Sequence, residues 1–208
     1  PAGGVAAEFT VAMLSETCAY LTSAAAAEEM DEDLLWHHAD RFDVELVNRT
    51  EELAVIGIMG PKSRAILEAL TEDELGPWLS VHENTVAGIP VRALRVSYVG
   101  ELGWELHVAR DRAVDLFEAL EAAGKPHGAG LYGAYAANAM RLEKGYRAWG
   151  SDLTTERTPL ESGLGYLVHA EGRAFTGRTE MLARQGEGAW DMALLEVQPG
   201  EIDPFFAH

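Results

Sequence analysis

The 208-residue sequence predicts an α+β fold. Three observations carry that prediction. Between residues 44 and 123 the hydrophobic pattern reads strand, helix, strands, helix, the order of a split βαβ unit. Within that block, Gly100-Glu101-Leu102-Gly103 separates two alternating runs, as the turn of a β-hairpin does. On either side, residues 28–38 and 131–146 carry helical rather than alternating spacing.

Residues 9–14 and 19–22 read as short strands around a Ser15-Glu16 turn. Residues 28–38 read as a helix whose early carboxylates suit the positive end of the helix dipole. Residues 53–59 form a strand. Gly60-Pro61 then opens a helix, where the missing proline N–H costs nothing, with Ala65, Ile66, Leu67 and Leu70 turned inward. Strands at 79–86 and 89–99 join near Ala87-Gly88, and another follows at 104–108. Asp111 caps a helix that presents Val114, Phe117 and Leu120 on one face and stops at Gly124. A helix at 131–146 and strands at 164–168 and 192–197 complete the pattern, with loops rich in Gly, Thr and Pro between the last two.

Composition narrows the function classes. Sixteen basic against 34 acidic residues give a net charge of −18, a field that repels nucleic acid and anionic membranes. No window approaches the ~20 apolar residues of a membrane span. Cys18 is the single cysteine, so no intrachain disulfide or cysteine metal cage exists, which fits a reducing cytoplasm or mitochondrial matrix. Adjacent His37 and His38 point ~100° apart on a helix and cannot chelate one ion well. His82, His107, His127 and His169 have no ligand spacing, so no metal is expected. Neither a dinucleotide fingerprint nor a phosphate-binding Gly-Lys-Ser/Thr loop is present. A non-methionine start and the apolar tail Ile202-Asp203-Pro204-Phe205-Phe206 read as cuts in a longer polypeptide.

The hairpin carries the first candidate site. A two-residue turn at Glu101-Leu102 pairs Gly100 with Gly103, Val99 with Trp104, and Tyr98 with Glu105, placing opposed Cβ atoms ~5 Å apart. One face then holds Leu94, Val96, Tyr98, Glu105 and His107; the other holds Arg95, Val99, Trp104, Leu106 and Val108. Burying an unpaired carboxylate is costly, so Glu105 calls for a cationic or donor-rich partner. A planar heterocycle with an amidine-like N–H edge, such as a pterin, would stack on Tyr98 and donate twice to Glu105. The plain alternative is a surface hairpin with an exposed Glu and Tyr.

The segment from Arg92 to Leu106, read with Met140-Arg141-Leu142-Glu143-Lys144-Gly145-Tyr146-Arg147-Ala148-Trp149-Gly150 and Thr158-Pro159-Leu160-Glu161-Ser162-Gly163-Leu164-Gly165, resembles the folate domain of the dimethylglycine and sarcosine dehydrogenases. It is more distantly similar to the aminomethyltransferase (glycine-cleavage T-protein) family, and Ile58-Met59-Gly60-Pro61-Lys62-Ser63-Arg64 is a third, weaker match. The resemblance implies a folate-binding aminomethyltransferase-like fold containing a ferredoxin-like subdomain. It divides the chain into a discontinuous folate-binding subdomain (1–43 and 125–190), a ferredoxin-like subdomain (44–124) and the start of a C-terminal barrel (191–208). It implies transfer of a one-carbon unit from an aminomethyl or iminium donor to tetrahydrofolate, forming 5,10-methylenetetrahydrofolate. Tyr98, Glu105 and Arg141 would bind the folate, with Trp149 lining its pocket. The donor would be a small methylated amine or aminomethyl group, delivered by a flavin domain or carrier protein outside this chain; no flavin is expected within it. Two alternatives stand beside this: a non-catalytic folate-binding or scaffold module of a larger flavoprotein, and a folate-dependent demethylase.

From the residues alone, Arg141 suits a fixed anionic or carbonyl partner. The competing reading is an intrahelical ion pair, for which Glu143 stands at the wrong spacing. Lys144 and Arg147 meet a glutamate tail or stay solvated, and Tyr146 reads as core packing.

One position departs from the family. Its catalytic Asp follows a Gly-Gly-hydrophobic segment, and here Gly3-Gly4-Val5-Ala6-Ala7 leads to Glu8. Glu keeps the carboxylate but moves it by ~1.5 Å, and catalysis is sensitive to shifts near 1 Å. Three readings stand: a working carboxylate in a reshaped site, a remnant in a domain that binds but transfers poorly, or a strand-edge residue outside the site. Thr22-Ser23-Ala24 replaces an amide-bearing segment of the family, leaving Ser23 as the polar contact there.

Overall fold

A computed structural model describes residues 3–172, 174–185 and 192–196. They divide into two units: residues 7–146, and a second one built from residues 3–6 with the described residues from Arg147 onward.

The larger unit opens with a hairpin of β1 (Thr10–Ser15) and β2 (Cys18–Thr22), paired antiparallel from Thr10↔Thr22 to Met13↔Ala19. Its turn falls at Glu16-Thr17, where the Thr17 N–H donates to Ser15 Oγ at 3.2 Å. Helix α1 (Glu28–Ala39) has Glu28, Glu29 and Asp31 in its first turn and His37 and His38 in its last, as a helix dipole favours. Next come β3 (Leu53–Met59), α2 (Ser63–Glu68), β4 (Val81–Val86), β5 (Ile89–Leu94), β6 (Gly103–Ala109) and α3 (Ala113–Gly124). Helix α4 (Ala134–Glu143) ends the unit.

The four central strands form one sheet in the order β3-β6-β5-β4, every neighbouring pair antiparallel. The α+β class is as expected; the wiring within it is more specific. β3 and β4, joined through α2, stand at opposite edges with two strands between them, where a split βαβ leaves room for one. β4 and β5 close through Ala87-Gly88, both at positive φ (51° and 75°), the backbone of a primed two-residue turn whose twist matches its strands.

One sheet face makes the core. Trp104, Leu106 and Val108 of β6, Val91 and Ala93 of β5, and Val86 of β4 pack with Leu67 of α2 and Leu116 and Leu120 of α3. Alternation along β6 sends Glu105 and His107 to the opposite face.

The expected register of the Gly100–Gly103 hairpin does not form. Leu94, not Tyr98, pairs with Glu105, and residues 95–102 make an eight-residue connection in place of a two-residue turn. The register moves by four residues. An even slip keeps every side chain on its face, so the predicted faces of Leu94, Glu105, His107, Trp104, Leu106 and Val108 survive the error. The connection is pinned elsewhere: Leu102 C=O accepts from the Gly60 N–H at 2.7 Å and from Ser63 Oγ at 3.0 Å. Those anchors replace the ladder that a tight hairpin would have continued.

Other elements also differ. Helix α3 buries Leu116 and Leu120 on an i, i+4 stripe while Val114 is exposed. Asp111 lies in a short 3₁₀ turn ahead of α3 and makes no cap. The helical path continues beyond Gly124 and ends at Gly128, in the left-handed conformation at φ 75°. Residues 164–168 hold a 3₁₀ turn (Gly165–Leu167) in place of a strand. Residues 192–196 have no regular structure, and Val197 lies outside the described residues.

The second unit contains α5 (Arg178–Ala183), which the sequence reading did not anticipate. Its N-terminal segment approaches closely: Val5 N–H donates to Thr154 C=O at 2.9 Å, and a Cβ on Gly4 would collide with the Thr155 carbonyl. The Thr158–Glu161 segment makes a reciprocal clasp. Glu161 Oε2 accepts from the Thr158 N–H at 2.8 Å, and Thr158 Oγ1 accepts from the Glu161 N–H at 3.1 Å. Arg184 reaches Glu161 Oε2 at 2.8 Å. The Thr158 N–H, with help from Arg184, holds the Glu161 carboxyl below its usual range. A lowered folded-state pKa contributes stability above the unfolded value, and that contribution is lost as pH falls from 4.5 toward the folded value. Glu161→Gln is therefore expected to melt below wild type at pH 7, with the gap closing progressively under pH 4.5. Paired melts at pH 7 and in acid check this; an undiminished gap in acid would contradict it.

Candidate functional site

The exposed side of the sheet in the larger unit gathers a carboxylate, an imidazole and phenols. Glu105 is about a quarter exposed, and its Oε2 stands 3.7 Å from Nε2 of His107, two positions along β6. His107 is buried. Its Nδ1 lies 2.9 Å from the Tyr20 hydroxyl, which reaches it from β2. The Tyr20 and His107 rings meet edge to face at 5.5 Å. Arg92 of β5 lies over the Tyr20 ring at 4.5 Å and donates to Glu83 of β4 at 2.6 Å. A shallow cleft of about 150 Å³ beside this cluster is lined in part by Arg49, Glu83, Arg92 and His107.

Burial pushes the Tyr20 phenol above its ordinary pKa of 10.0; Arg92 and Arg49 oppose that rise, and the Glu105 and Glu83 charges add to it. Tyr132, in the segment before α4, is likewise raised by burial and by the charge of Glu105. Glu105 thus acts on two phenols, neither of them the one predicted. No arginine or lysine pairs with it among the described residues.

Tyr98 sits in the 95–102 connection, 46% exposed. That loop is tied to the end of α4 by an ion pair of Glu101 with Lys144 at 3.0 Å, and a Cβ on Gly100 would meet the Lys144 side chain. So Lys144 is engaged locally. Arg141 lies on the same helix and is buried. Its Nε donates to Asn138 Oδ1 at 2.7 Å, and its Nη1 to the Tyr146 carbonyl at 2.9 Å. Both bonds stay within the chain, the intrahelical one to a neutral Asn at i−3.

Glu8 and Ser23 lie at the open end of the β1–β2 hairpin, beyond its last pair Thr10↔Thr22, and both are exposed. Trp149 belongs to the second unit, where it bridges to Leu153 and its buried indole N–H has no acceptor among the described residues. Arg147, in the same unit, donates to the Ser162 carbonyl at 3.0 Å. No cluster of three or more metal-ligating side chains occurs among the described residues, and none of the described helices is long and apolar enough to cross a membrane.

Alternation placed His107 beside Glu105 on one face. Tyr20 and Tyr132 went unnoticed, because a contact spanning 87 residues leaves no local signature.

A helix-backed antiparallel sheet with a partly buried carboxylate on its open face, approached by a phenol from a separate hairpin, defines an α+β domain. The chain belongs to the GCVT N-terminal domain family, which matches residues 1–172. It is 38% identical to mitochondrial dimethylglycine dehydrogenase of Mus musculus over 98% of its length, covering 24% of that protein. It is 38% identical to mitochondrial sarcosine dehydrogenase of Homo sapiens over 69% of its length, covering 16% of that one. An aminomethyltransferase of Bacillus velezensis is 32% identical over 91% of the chain, which spans 52% of it. The chain therefore spans about a quarter or less of these dehydrogenases and half of the aminomethyltransferase.

Proposed function

We propose that this chain binds tetrahydrofolate and serves one-carbon transfer from an aminomethyl or iminium donor, forming 5,10-methylenetetrahydrofolate. The observation that carries the reading is Glu105: a partly buried carboxylate on an open sheet face, beside phenols and, among the described residues, without a cationic side chain paired to it. Such a group requires donors, and the N–H edge of a pterin supplies two in parallel. The residues present fit that ligand. Glu105 would accept from the ring, Tyr98 and Tyr132 would offer aromatic faces, and Arg141 would hold the helix end against which the Tyr98 loop is tied. Ser23 and Glu8 would serve from the hairpin end. When bound, tetrahydrofolate supplies the nitrogen nucleophiles that accept the one-carbon unit. The role of the chain is to orient the ring and hold a carboxylate near those nitrogens, so that the encounter becomes effectively intramolecular.

The donor is read as a small methylated amine, delivered by a flavin domain or carrier protein outside this chain, in the cytoplasm or the mitochondrial matrix. A second reading, a domain that binds folate without transferring carbon, is favoured by one observation: Glu8 stands where the resemblance expects Asp.

Calorimetric titration with tetrahydrofolate tests the proposal. Wild type is expected to bind, and Glu105→Ala to bind at least ~10-fold more weakly, the worth of one charge-assisted hydrogen bond or more. Equal affinities would remove Glu105 from the site. No binding by wild type would remove folate itself.

A further inference from the structure

We propose that Tyr20 and His107 are positioning residues for Glu105: the phenol fixes the imidazole proton on Nε2, and that N–H orients the carboxylate toward its ligand. The last step rests on the folate reading; the first two stand on geometry alone.

Two contacts and one unpartnered nitrogen define the relay. Tyr20 Oη lies 2.9 Å from His107 Nδ1. His107 Nε2 is buried and has no hydrogen-bond partner among the described residues. The carboxylate oxygen of Glu105 faces that nitrogen at 3.7 Å, just beyond bonding distance. A neutral imidazole carries one proton, and the nitrogen that lacks it must accept. If the proton sat on Nδ1, the Tyr20 oxygen would accept it and its own O–H would lose the imidazole as acceptor. The lone pair of Nε2 would then face a carboxylate. With the proton on Nε2, the phenol donates to Nδ1 and the N–H points at Glu105. Both contacts are satisfied in that tautomer alone.

The surroundings fix the phenol. The hairpin carries Tyr20 to the sheet, Arg92 covers its ring at 4.5 Å, and Glu83 holds Arg92 at 2.6 Å. Burial raises the Tyr20 pKa, which keeps the hydroxyl protonated and able to donate. A small movement of Glu105 toward the sheet closes the gap to His107. One carboxylate oxygen is then held, and the other is left to the ligand. Outer partners of this kind orient a binding group without touching what it binds.

The test has a ligand-free arm and a ligand arm. Imidazole nitrogen NMR of the ¹⁵N-labelled chain is expected to show His107 as the Nε2–H tautomer. Tyr20→Phe, which deletes one oxygen, is expected to give a mixture of both. An Nδ1–H signal in wild type, or a tautomer unchanged in Tyr20→Phe, overturns the proposal whether or not folate binds. In the second arm, 5-formyltetrahydrofolate, a stable reduced folate, is titrated calorimetrically. His107→Ala is expected to bind about 10-fold more weakly, one charge-assisted hydrogen bond lost. His107→Gln, whose amide N–H reaches the place of Nε2, is expected to stay within about 3-fold of wild type, a difference under 1 kcal/mol. A His107→Ala affinity equal to wild type ends the positioning role and leaves the folate reading intact. If His107→Ala melts before titration, Tyr20→Phe takes its place, with a smaller expected loss set by the fraction of His107 left in the Nε2–H form, and an affinity equal to wild type despite a shifted tautomer ends the positioning role. If wild type itself fails to bind, the folate reading falls, and the tautomer decides the relay.

Discussion

Trp104→Ala is expected to cost the sheet layer about 3–5 kcal/mol, the usual range for emptying a buried aromatic site. Trp104 is fully buried on the core face, in one cluster with Leu67, Leu75, Leu106 and Leu116. Its indole N–H donates to the Leu75 carbonyl at 2.8 Å, so the truncation leaves both a cavity and an unpaired carbonyl. Arg64 and Arg95 stack over the ring at 5.2 and 5.1 Å and lose that surface together. Trp104→Phe separates the contributions: it keeps most of the volume and loses the hydrogen bond, so a loss of about 1–3 kcal/mol is expected. Urea unfolding of the three proteins measures this, with unchanged slopes and ordered midpoints. A midpoint for the alanine variant close to wild type would mean that the indole is not the keystone of this face.

The same residue shows why part of the fold could be read from the sequence. Strand identity and facing follow from a period of two, so β3 and β6 emerged within a residue, and Trp104 fell on the apolar face with Leu106 and Val108. Register was harder. Gly100 and Gly103 looked like a two-residue turn, yet hydrogen bonds from Gly60 and Ser63 to Leu102 open the connection to eight residues. Nothing near the turn encodes those partners, which lie about 40 residues away. The face of α3 was missed for a related reason: Val114 and Leu116 both suit burial, and only the position of the sheet selects Leu116. Helix α5 is a six-residue segment with one buried side chain, Met181, too short to show a period.

The site divides along the same line. Glu105 was legible because an acidic residue between Trp104 and Leu106 breaks an otherwise apolar strand. Its neighbours were not, because Tyr20 comes from another sheet and Tyr132 from a loop. Arg141 was legible as a residue needing a fixed partner. Its carbonyl belongs to Tyr146, five positions on, and the chain must turn sharply after α4 to present it.

Glu8 carries the largest functional expectation. If its carboxylate assists proton movement at the folate nitrogens, Glu8→Ala should slow one-carbon transfer by about 10²–10⁴-fold while tetrahydrofolate affinity changes little. That split is the signature of a group used in the transition state more than in binding. Glu8→Asp then asks whether the site is built for the longer side chain. The hairpin end that carries Glu8 is exposed and lies past the last paired residues, Thr10 and Thr22. The extra methylene of Glu gives the carboxylate about 1.5 Å more reach than Asp, a displacement to which catalysis is sensitive. Aspartate at this position is therefore expected to lower turnover about 10²-fold, although the resemblance points to Asp. Single-turnover formation of 5,10-methylenetetrahydrofolate from an aminomethyl donor measures all three proteins. An aspartate variant faster than wild type would make Glu8 a displaced remnant of the catalytic residue. An alanine variant as fast as wild type would remove Glu8 from the chemistry and leave folate binding, without transfer by this carboxylate, as the work of the domain.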